Sequence, residues 1–268
     1  RITGGEPLMR QGVVHFIRDL QALRTLGLKR ISMTTNAHYL SKYAAQLKQA
    51  GLDDLNISLD SLDANQFKKL TKKELAPVLN GIEAAQKAGL PFKLNCVLIK
   101  GQNDDQIVPM VKWAQQQQIP LRFIEFMPLD GDQHWTGQVV VSEAEILEQL
   151  AAHYSIKVIQ QQHEPARSYQ LDGQYQIGII STITHSFCGD CDRIRLTAKG
   201  DLYNCLFAQQ GLNIKPYLAN HFASNEQRQS AYQQLDQQIK PYIWHKAKGY
   251  HAIQQQQTRK ISMHMLGG

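Results

Sequence analysis

Short apolar runs alternate with helical segments over residues 1–154, and this βα repeat favours a parallel sheet. Apolar residues recur at helical spacing in the first helix, at Phe16, Leu20 and Leu23, and the last helix opens with a capping box from Ser142 to Glu145. The predicted strands are Arg1–Thr3, Ile31–Asn36, Leu55–Asp60, Phe92–Ile99 and Leu121–Met127. The candidate architectures are a doubly wound sheet and a closed or partial barrel.

The two faces of these strands differ, because successive side chains point to opposite sides. One face is apolar and is covered by the helices. The other is polar: Arg1, Thr3, Ser32, Thr34, Asn36, Asn56, Ser58, Asp60, Lys93, Asn95, Glu125 and Met127. An ordinary parallel sheet fills both faces with apolar residues, so the pattern predicts a ligand chamber. Polar strand ends are the alternative, which accounts for Asn36 and Asp60 better than for Ser58, Lys93 and Asn95 in mid-strand.

The βα pattern of the sequence ends near Ser155, which predicts a domain boundary between residues 154 and 155. Short β-like pieces at Ile156–Ile159, Gln176–Ser181 and Ile194–Ala198 surround a cysteine cluster, and Gln-rich helical sequence follows. The tract Gln254–Gln257 is of low complexity and is expected to be a solvated surface or linker.

Composition indicates a globular protein, with 268 residues, 43% hydrophobic and 19% charged. No apolar run approaches the about 20 residues that a membrane-spanning helix needs, and no signal-peptide pattern opens the chain, so we expect a cytoplasmic protein. The formal charge of +6 favours anionic partners. Because the chain opens at Arg1 in a strand-like run, we expect an N-terminal segment to be missing.

Three of the four cysteines, Cys188, Cys191 and Cys205, lie close together in the chain at metal-ligand spacing. Such a cluster favours metal chemistry over a disulfide framework. Two sites remain open: zinc completed by a histidine such as His185, or an iron–sulfur cluster with one unligated iron. The remaining cysteine, Cys96, is expected in the core.

Other candidate residues lie beside this cluster and after the first strand. Arg193 and Arg195 share one face of a predicted strand and could bind phosphate or a base edge. The turn Thr3-Gly4-Gly5-Glu6 lies where α/β proteins bind ligands, and Glu6 could hold an ammonium group. Buried Lys93 needs a carboxylate such as Glu125 or an anionic ligand.

The combination resembles a known family. The chain contains, in order and over essentially its whole length, RITGGEP, MTTN, NISLDSLD, KLNCVL, LRFIEFMP, CGDCDRIRLTAKG with Cys205, and a terminal Gly-Gly. These segments resemble the GTP 3′,8-cyclases, the radical S-adenosylmethionine (radical SAM) enzymes of the first step of molybdenum cofactor (molybdopterin) biosynthesis. The GGEP turn indicates only the superfamily, whereas the cysteine motif and the Gly-Gly tail are more specific.

The resemblance implies an α/β fold: a partial (β/α)6 TIM-like barrel, N-terminally truncated, with a C-terminal iron–sulfur module. S-adenosylmethionine (SAM) would lie on one 4Fe-4S cluster and GTP on a second. The second cluster would be ligated by Cys188, Cys191 and Cys205. SAM would contact Gly5, Glu6, Ser58 and Met127, and GTP would contact Arg1, Thr34, Lys93, Arg193, Ile194 and Arg195. Arg193, Arg195, Gly267 and Gly268 are the candidate catalytic residues, with the tail entering the chamber.

In this family a 5′-deoxyadenosyl radical takes hydrogen from C3′ of GTP, and the product is 3′,8-cyclo-7,8-dihydro-GTP. The family's CxxxCxxC motif for the first cluster does not occur in the 268 residues, so we expect this chain alone to bind substrate without cleaving SAM. A smaller departure lies at Thr71-Lys72-Lys73, where the family usually has Thr-Gly and a slightly longer loop.

Two rival functions remain on sequence grounds. One is another radical SAM enzyme with an auxiliary cluster, for instance a peptide-modifying one; the other is a zinc-stapled nucleotide- or RNA-binding module. For the cyclase, the expected partners are GTP, an electron donor, the downstream cyclic pyranopterin monophosphate synthase and a second copy in a homodimer. No membrane or nucleic-acid partner is expected.

Overall fold

A seven-stranded, mostly parallel sheet organises the first part of the chain in the computed structural model, which describes residues 1–127, 137–159, 165–185, 191–208, 210–218, 222 and 224–246. Its strands are β1 (Ser32–Thr35), β2 (Asp54–Ser58), β3 (Phe92–Leu98), β4 (Leu121–Glu125), β5 (Ile156–Ile159), β6 (Arg167–Leu171) and β7 (Tyr175–Ile180). The order is β1-β2-β3-β4-β7-β6-β5. Strands β1–β4 and β7 pair in parallel, and β5 and β6 are antiparallel additions. The α/β class and the parallel sheet predicted from the sequence are confirmed.

Helices supply the apolar cover of this sheet. They are α1 (Val13–Leu20), α2 (Leu40–Gln49), α3 (Ala64–Thr71), α4 (Ala76–Lys87), α5 (Ile107–Gln116) and α6 (Glu143–Ala151). The apolar strand residues Met33, Ile57 and Leu94 belong to one buried core with side chains of these helices. Cys96 is also buried there, as predicted. The apolar face of the strands is therefore used for folding, which leaves the polar face to line other space.

Two local predictions in the helices had different outcomes. The capping box of α6 is present, with the Ser142 side chain accepting from the Glu145 backbone and the Glu145 side chain accepting from the Ser142 backbone. The predicted apolar stripe of α1 is wrong, because Phe16 and Leu23 are 40% and 43% exposed. The helix instead buries Val13 and Ile17. Leu23 falls out of register because a 3-10 helix follows Leu20 and the spacing changes there.

The chain forms two compact units, of which the first comprises residues 1–127 and 134–185 and the second comprises 128–133 and 186–268. The first unit runs past the predicted boundary at residues 154 and 155, because β5, β6 and β7 hydrogen-bond into the same sheet as β4. The second unit contains a three-stranded sheet of β8 (Arg195–Leu196), β9 (Asp201–Tyr203) and β10 (Leu212–Asn213). It also contains the long helix α7 (Asn225–Trp244), capped by Ser224.

Some sequence features lie outside the described residues: Cys188, the tract Gln254–Gln257, and Gly267 and Gly268. Among the helices that the structure describes, none is long and apolar enough to cross a membrane.

Candidate ligand-binding site

The Gly-Gly turn lies at the carboxyl-terminal edge of the parallel strands. A parallel bridge between Ile2 and Met33 aligns the start of the chain with β1. Gly4 then adopts φ +102° and Gly5 adopts φ +21°, and a Cβ atom on either residue would meet nothing within 4 Å. The left-handed conformation of Gly4 favours glycine. The turn therefore leaves open space against its backbone, as a ligand cradle requires.

Glu6 fastens this turn to the end of β1. One carboxylate oxygen accepts hydrogen bonds from Leu8 N at 3.0 Å and from Thr35 Oγ1 at 2.8 Å, and the other accepts from Asn36 N at 2.8 Å. The side chain thus shapes the turn directly. Its predicted contact with the amino group of SAM stays a prediction.

The predicted polar face is continuous across neighbouring strands. Thr34 lies opposite Asn56, Asn56 opposite Lys93, and Ser58 opposite Asn95 in the parallel register. Asn56 Nδ2 and Asn95 Oδ1 are buried and have no hydrogen-bond partner among the described residues. Buried polar atoms are nearly always paired in native proteins, so these two atoms fit a ligand that supplies the missing partners.

A cavity of about 730 Å³ opens at the amino-terminal edge of the same strands. Its basic residues are Arg30, just before β1, Lys93 in β3 and Arg122 in β4. Arg30 Nε lies 2.5 Å from Asp54 Oδ2, while the buried Asp54 Oδ1 has no partner among the described residues. The cavity is therefore rich in positively charged side chains, and one oxygen of the Asp54 carboxylate could accept a hydrogen bond from a ligand.

Lys93 is half-buried among other positive charges. Burial lowers its pKa, and the positive charges of Arg122 and Arg30 lower it further; the charge of Asp54 opposes them, and Arg1 has a smaller lowering effect. Arg1 also reaches the polar face, with Nε 3.4 Å from Ser32 Oγ. Holding several like charges close together is unfavourable, so an anionic ligand would relieve their repulsion.

Glu125 is not part of this site, and the sequence-based placement of its side chain on the polar face is wrong. It lies opposite Leu98 in the register, on the apolar side, and is 0% exposed. Its carboxylate accepts from Ile183 N, Thr184 N and Thr184 Oγ1 at 2.9, 3.0 and 2.5 Å. Backbone and hydroxyl donors therefore satisfy Glu125, and Asp54 is the carboxylate near Lys93.

Arg30, Arg122 and Asp54 are the site residues that sequence reasoning missed. For Arg122 a signal was present, since it stands between Leu121 and Phe123, which are both buried. Alternation in β4 therefore places Arg122 on the polar face, where it lies opposite Asn95. Arg30 and Asp54 follow the same alternation, two residues before Ser32 and Asn56, but both stand just before the start of the predicted strands.

The second unit carries the clustered cysteines. Cys191 Sγ accepts from Arg193 Nε at 3.4 Å and from Lys246 Nζ at 3.3 Å. Burial raises the pKa of Cys191, but the hydrogen bonds and positive charge of Arg193, with the bond from Lys246, outweigh it and lower the pKa below its usual value. Cys205 is buried, and neither cysteine is in a disulfide. The donor set therefore fits a thiolate ligand at Cys191.

The described residues alone do not complete a metal site. Among them no group of three His, Cys, Asp or Glu side chains is arranged around a metal position, and the third predicted thiolate, Cys188, lies outside them. His185, the predicted alternative zinc ligand, has Nδ1 3.3 Å from Glu143. Of the predicted arginine pair, only Arg195 is in a strand, while Arg193 and Ile194 are exposed just before it.

Comparison with known proteins identifies the chain. The Radical SAM superfamily model matches residues 1–114, and the Molybdenum Cofactor Synthesis C model matches residues 119–252. The chain is thus a radical SAM protein with a C-terminal region characteristic of molybdenum cofactor synthesis. It is 40% identical to the GTP 3',8-cyclase of Pseudomonas putida (strain W619), covering 91% of this chain and 74% of the relative.

Two further relatives extend this match. The GTP 3',8-cyclase of Thermodesulfovibrio yellowstonii is 41% identical, covering 86% of this chain and 72% of the relative. That of Staphylococcus haemolyticus is 34% identical, covering all of this chain and 79% of the relative. The chain belongs to the GTP 3',8-cyclase family.

Proposed function

We propose that this protein acts as a GTP 3′,8-cyclase, which converts GTP to 3′,8-cyclo-7,8-dihydro-GTP in the first step of molybdenum cofactor biosynthesis. The observation that carries the proposal is the polar face, which runs from the Gly-Gly turn at one edge of the sheet to the cation-lined cavity at the other. Asp54 and Ser58 mark the two ends of β2, about 13 Å apart at the usual rise of a strand. That length suits an extended nucleotide.

The carboxyl-terminal edge is the proposed SAM site. Gly5 lies in the open turn, and Ser58 and Met127 lie half-buried at the end of β2 and just after β4. The open space beside Gly5 supports close approach of a ligand to the backbone. Glu6 would act on the amino group of SAM while it holds the turn. We assign these four residues to SAM binding in a partial (β/α)6 barrel.

The amino-terminal edge is the proposed triphosphate site. Lys93 and Arg122 would bind phosphate oxygens, and Arg1 and Arg30 would add positive charge around them, because charge-assisted hydrogen bonds to phosphate are strong. Thr34 and Asn56 lie opposite one another along the route to the other edge. A triphosphate carries enough negative charge to relieve the repulsion that lowers the pKa of Lys93.

The second unit is the proposed auxiliary cluster module. Cys188, Cys191 and Cys205 would ligate a 4Fe-4S cluster in this unit, and Arg193, Ile194 and Arg195 are its proposed GTP-binding residues. When bound, SAM and the iron–sulfur chemistry supply the one-electron step that opens the C3′–H bond. This chain's residues bind the nucleotide, orient its sugar and shield it from water.

Cys96 does not fit the cluster that cleaves SAM. Cys96 is buried in the core, with Sγ 3.8 Å from the Asp60 carbonyl oxygen, and its pKa is raised by burial. The proposal also includes a tail, Gly267 and Gly268, that enters the site. Its further partners are an electron donor, a second copy in a homodimer and a downstream cyclic pyranopterin monophosphate synthase.

Anaerobic reconstitution followed by equilibrium binding tests this function. We expect about four irons and four sulfides on the three clustered cysteines, together with GTP binding that is much tighter than guanosine binding. One zinc without sulfide would contradict the cluster and favour a zinc-stapled binding module. Equal affinities for GTP and guanosine would contradict the triphosphate site.

A further inference from the structure

Lys246 directs its ammonium group at the segment that carries Cys191. Its Nζ donates to Cys191 O at 2.6 Å, to Arg193 O at 2.9 Å and to Cys191 Sγ at 3.3 Å. A lysine ammonium has three N–H donors, so this segment occupies its full donor capacity. The two partners are 55 and 53 residues away in sequence. Because its partners are so distant in sequence, this contact forms only when the second unit is folded.

The end of α7 holds Lys246 in place. His245 N donates to Pro241 O at 2.9 Å, and Lys246 N donates to Ile243 O at 3.3 Å, so the chain keeps helical bonding to that point. A cation just past the last turn of a helix is also favourable for the helix dipole. Lys246 is therefore presented by a defined element.

The same helix end is tied to the chain beside Cys205. Asn204 Nδ2 donates to Tyr242 O at 2.7 Å, and Asn204 N donates to Tyr242 Oη at 3.4 Å. Tyr242 and Lys246 lie one turn apart on the same helix end. The last turns of α7 therefore contact the segments of both Cys191 and Cys205, which ligate the cluster in the proposed function.

Hydrogen bonds to ligand sulfurs and nearby positive charge set the reduction potential of an iron–sulfur cluster. Each stabilises the reduced form, which carries one more negative charge than the oxidised form. Lys246 supplies both effects at one sulfur, and its two bonds to carbonyl oxygens fix the backbone on which Cys191 and Arg193 stand.

We infer that Lys246 is a positioning residue of the auxiliary cluster, which anchors the Cys191–Arg193 segment and raises the reduction potential of the cluster. The inference rests on the proposed function in one respect, namely that Cys191 ligates an iron–sulfur cluster. It concerns a residue that neither the cysteine motif nor the arginine pair includes.

The test compares Lys246→Met with Lys240→Met in the reconstituted protein. Lys240 is a matched control, because it lies on α7 and pairs with Asp236, with a side chain 73% exposed. Reduction potential is measured by an EPR-monitored titration, and cluster retention by the rate of iron release to a chelator. We expect Lys246→Met to have a more negative potential and several-fold faster iron release, while Lys240→Met matches the parent.

A second variant covers the case in which Lys246→Met takes up no cluster. Lys246→Gln keeps a donor without the charge, and we expect its potential to lie below that of the parent. Loss of the cluster from both variants, with unchanged thermal unfolding of the apoprotein, would support the anchoring role. A parental potential and parental iron release in either variant would overturn the inference. A parent protein that takes up no iron and sulfide would instead contradict the proposed function.

Discussion

Arg122 lies directly opposite Gly178 in the register of β4 and β7, and a Cβ atom on Gly178 would come within 3.0 Å of Arg122 Cγ. It would also come within 3.2 Å of Ala166 Cβ. Because residue 178 is a glycine, the Arg122 side chain has room to extend along the cavity. Glycine is needed here for space, since no positive φ is recorded for Gly178.

The first prediction is that Gly178→Ala weakens GTP binding, because the added methyl group displaces Arg122. A lost charge-assisted hydrogen bond costs about 1.5 to 3 kcal/mol, so roughly tenfold weaker binding is expected when the displacement is partial. Isothermal titration with GTP, GMP and guanosine measures the effect, which should be largest for GTP and absent for guanosine.

A double-mutant cycle controls this prediction. Arg122→Met removes the guanidinium group and should weaken GTP binding by itself. In that background Gly178→Ala should have little further effect, because the group that it displaces is already gone. Additive losses would show that Gly178 acts on GTP binding by another route than Arg122.

The second prediction concerns Lys93→Met, which removes the charge and keeps most of the stem. GTP binding should weaken by roughly ten- to a hundredfold. The apoprotein should unfold at the same or a higher temperature, because burial and the neighbouring arginines lower the pKa of Lys93 and so disfavour its charged form. Lys112→Met, at an exposed position of α5, serves as the control. Unchanged GTP affinity with a lowered melting temperature would make Lys93 a structural residue.

Alternation along the strands was sufficient to predict part of this site. Thr34, Asn56 and Lys93 occupy the polar face as the sequence indicates, because a two-residue period fixes the face of every side chain in a strand. The same rule applied to β4 indicates Arg122, because Leu121 and Phe123 on either side of it are buried, and the prediction of Glu125 on the polar face did not follow it. A carboxylate was placed on the polar face by its chemistry, whereas donors from residues 183 and 184 satisfy it on the buried face.

Other features depend on contacts that are distant in sequence. The pairing of Arg30 with Asp54 spans 24 residues, and that of Lys246 with Cys191 spans 55. No periodicity or motif connects such residues, so only the folded chain reveals them. The family motifs indicated the cysteines and the Gly-Gly turn, but not the side chains that support them.

The third prediction is that Glu125→Gln destabilises the first unit. The amide would turn a donor toward the N–H groups of Ile183, Thr184 or Glu143, which now donate to the carboxylate. We expect a loss of about 1.5 to 3 kcal/mol in the free energy of unfolding, the usual worth of hydrogen bonds to a charged group. Urea denaturation measures it, with Glu83→Gln as an exposed control. An equal loss of unfolding free energy in both variants would contradict a stabilising role of the Glu125 carboxylate.

The last prediction concerns the capping box of α6 and its dependence on pH. The ion pair with Lys100, together with hydrogen bonds from Ser142, lowers the pKa of Glu145 to about 2. Because the folded state holds the ionised form, this stabilisation is complete above the ordinary pKa of 4.5 and is lost as the pH falls through about 2. Glu145→Gln should therefore cost about 1 kcal/mol at neutral pH, the usual worth of a cap.

Screening limits the contribution of the ion pair, since the Glu145 side chain is 37% exposed. The difference in unfolding free energy between Glu145→Gln and the parent should shrink steadily as the pH is lowered from 4.5 toward 2, as measured by urea denaturation at each pH. Glu148→Gln, at an exposed position of the same helix, should show no comparable trend. A Glu145→Gln deficit that stays constant over this range would show that the hydrogen-bonded shape of the cap, and not the charge of Glu145, stabilises the start of α6.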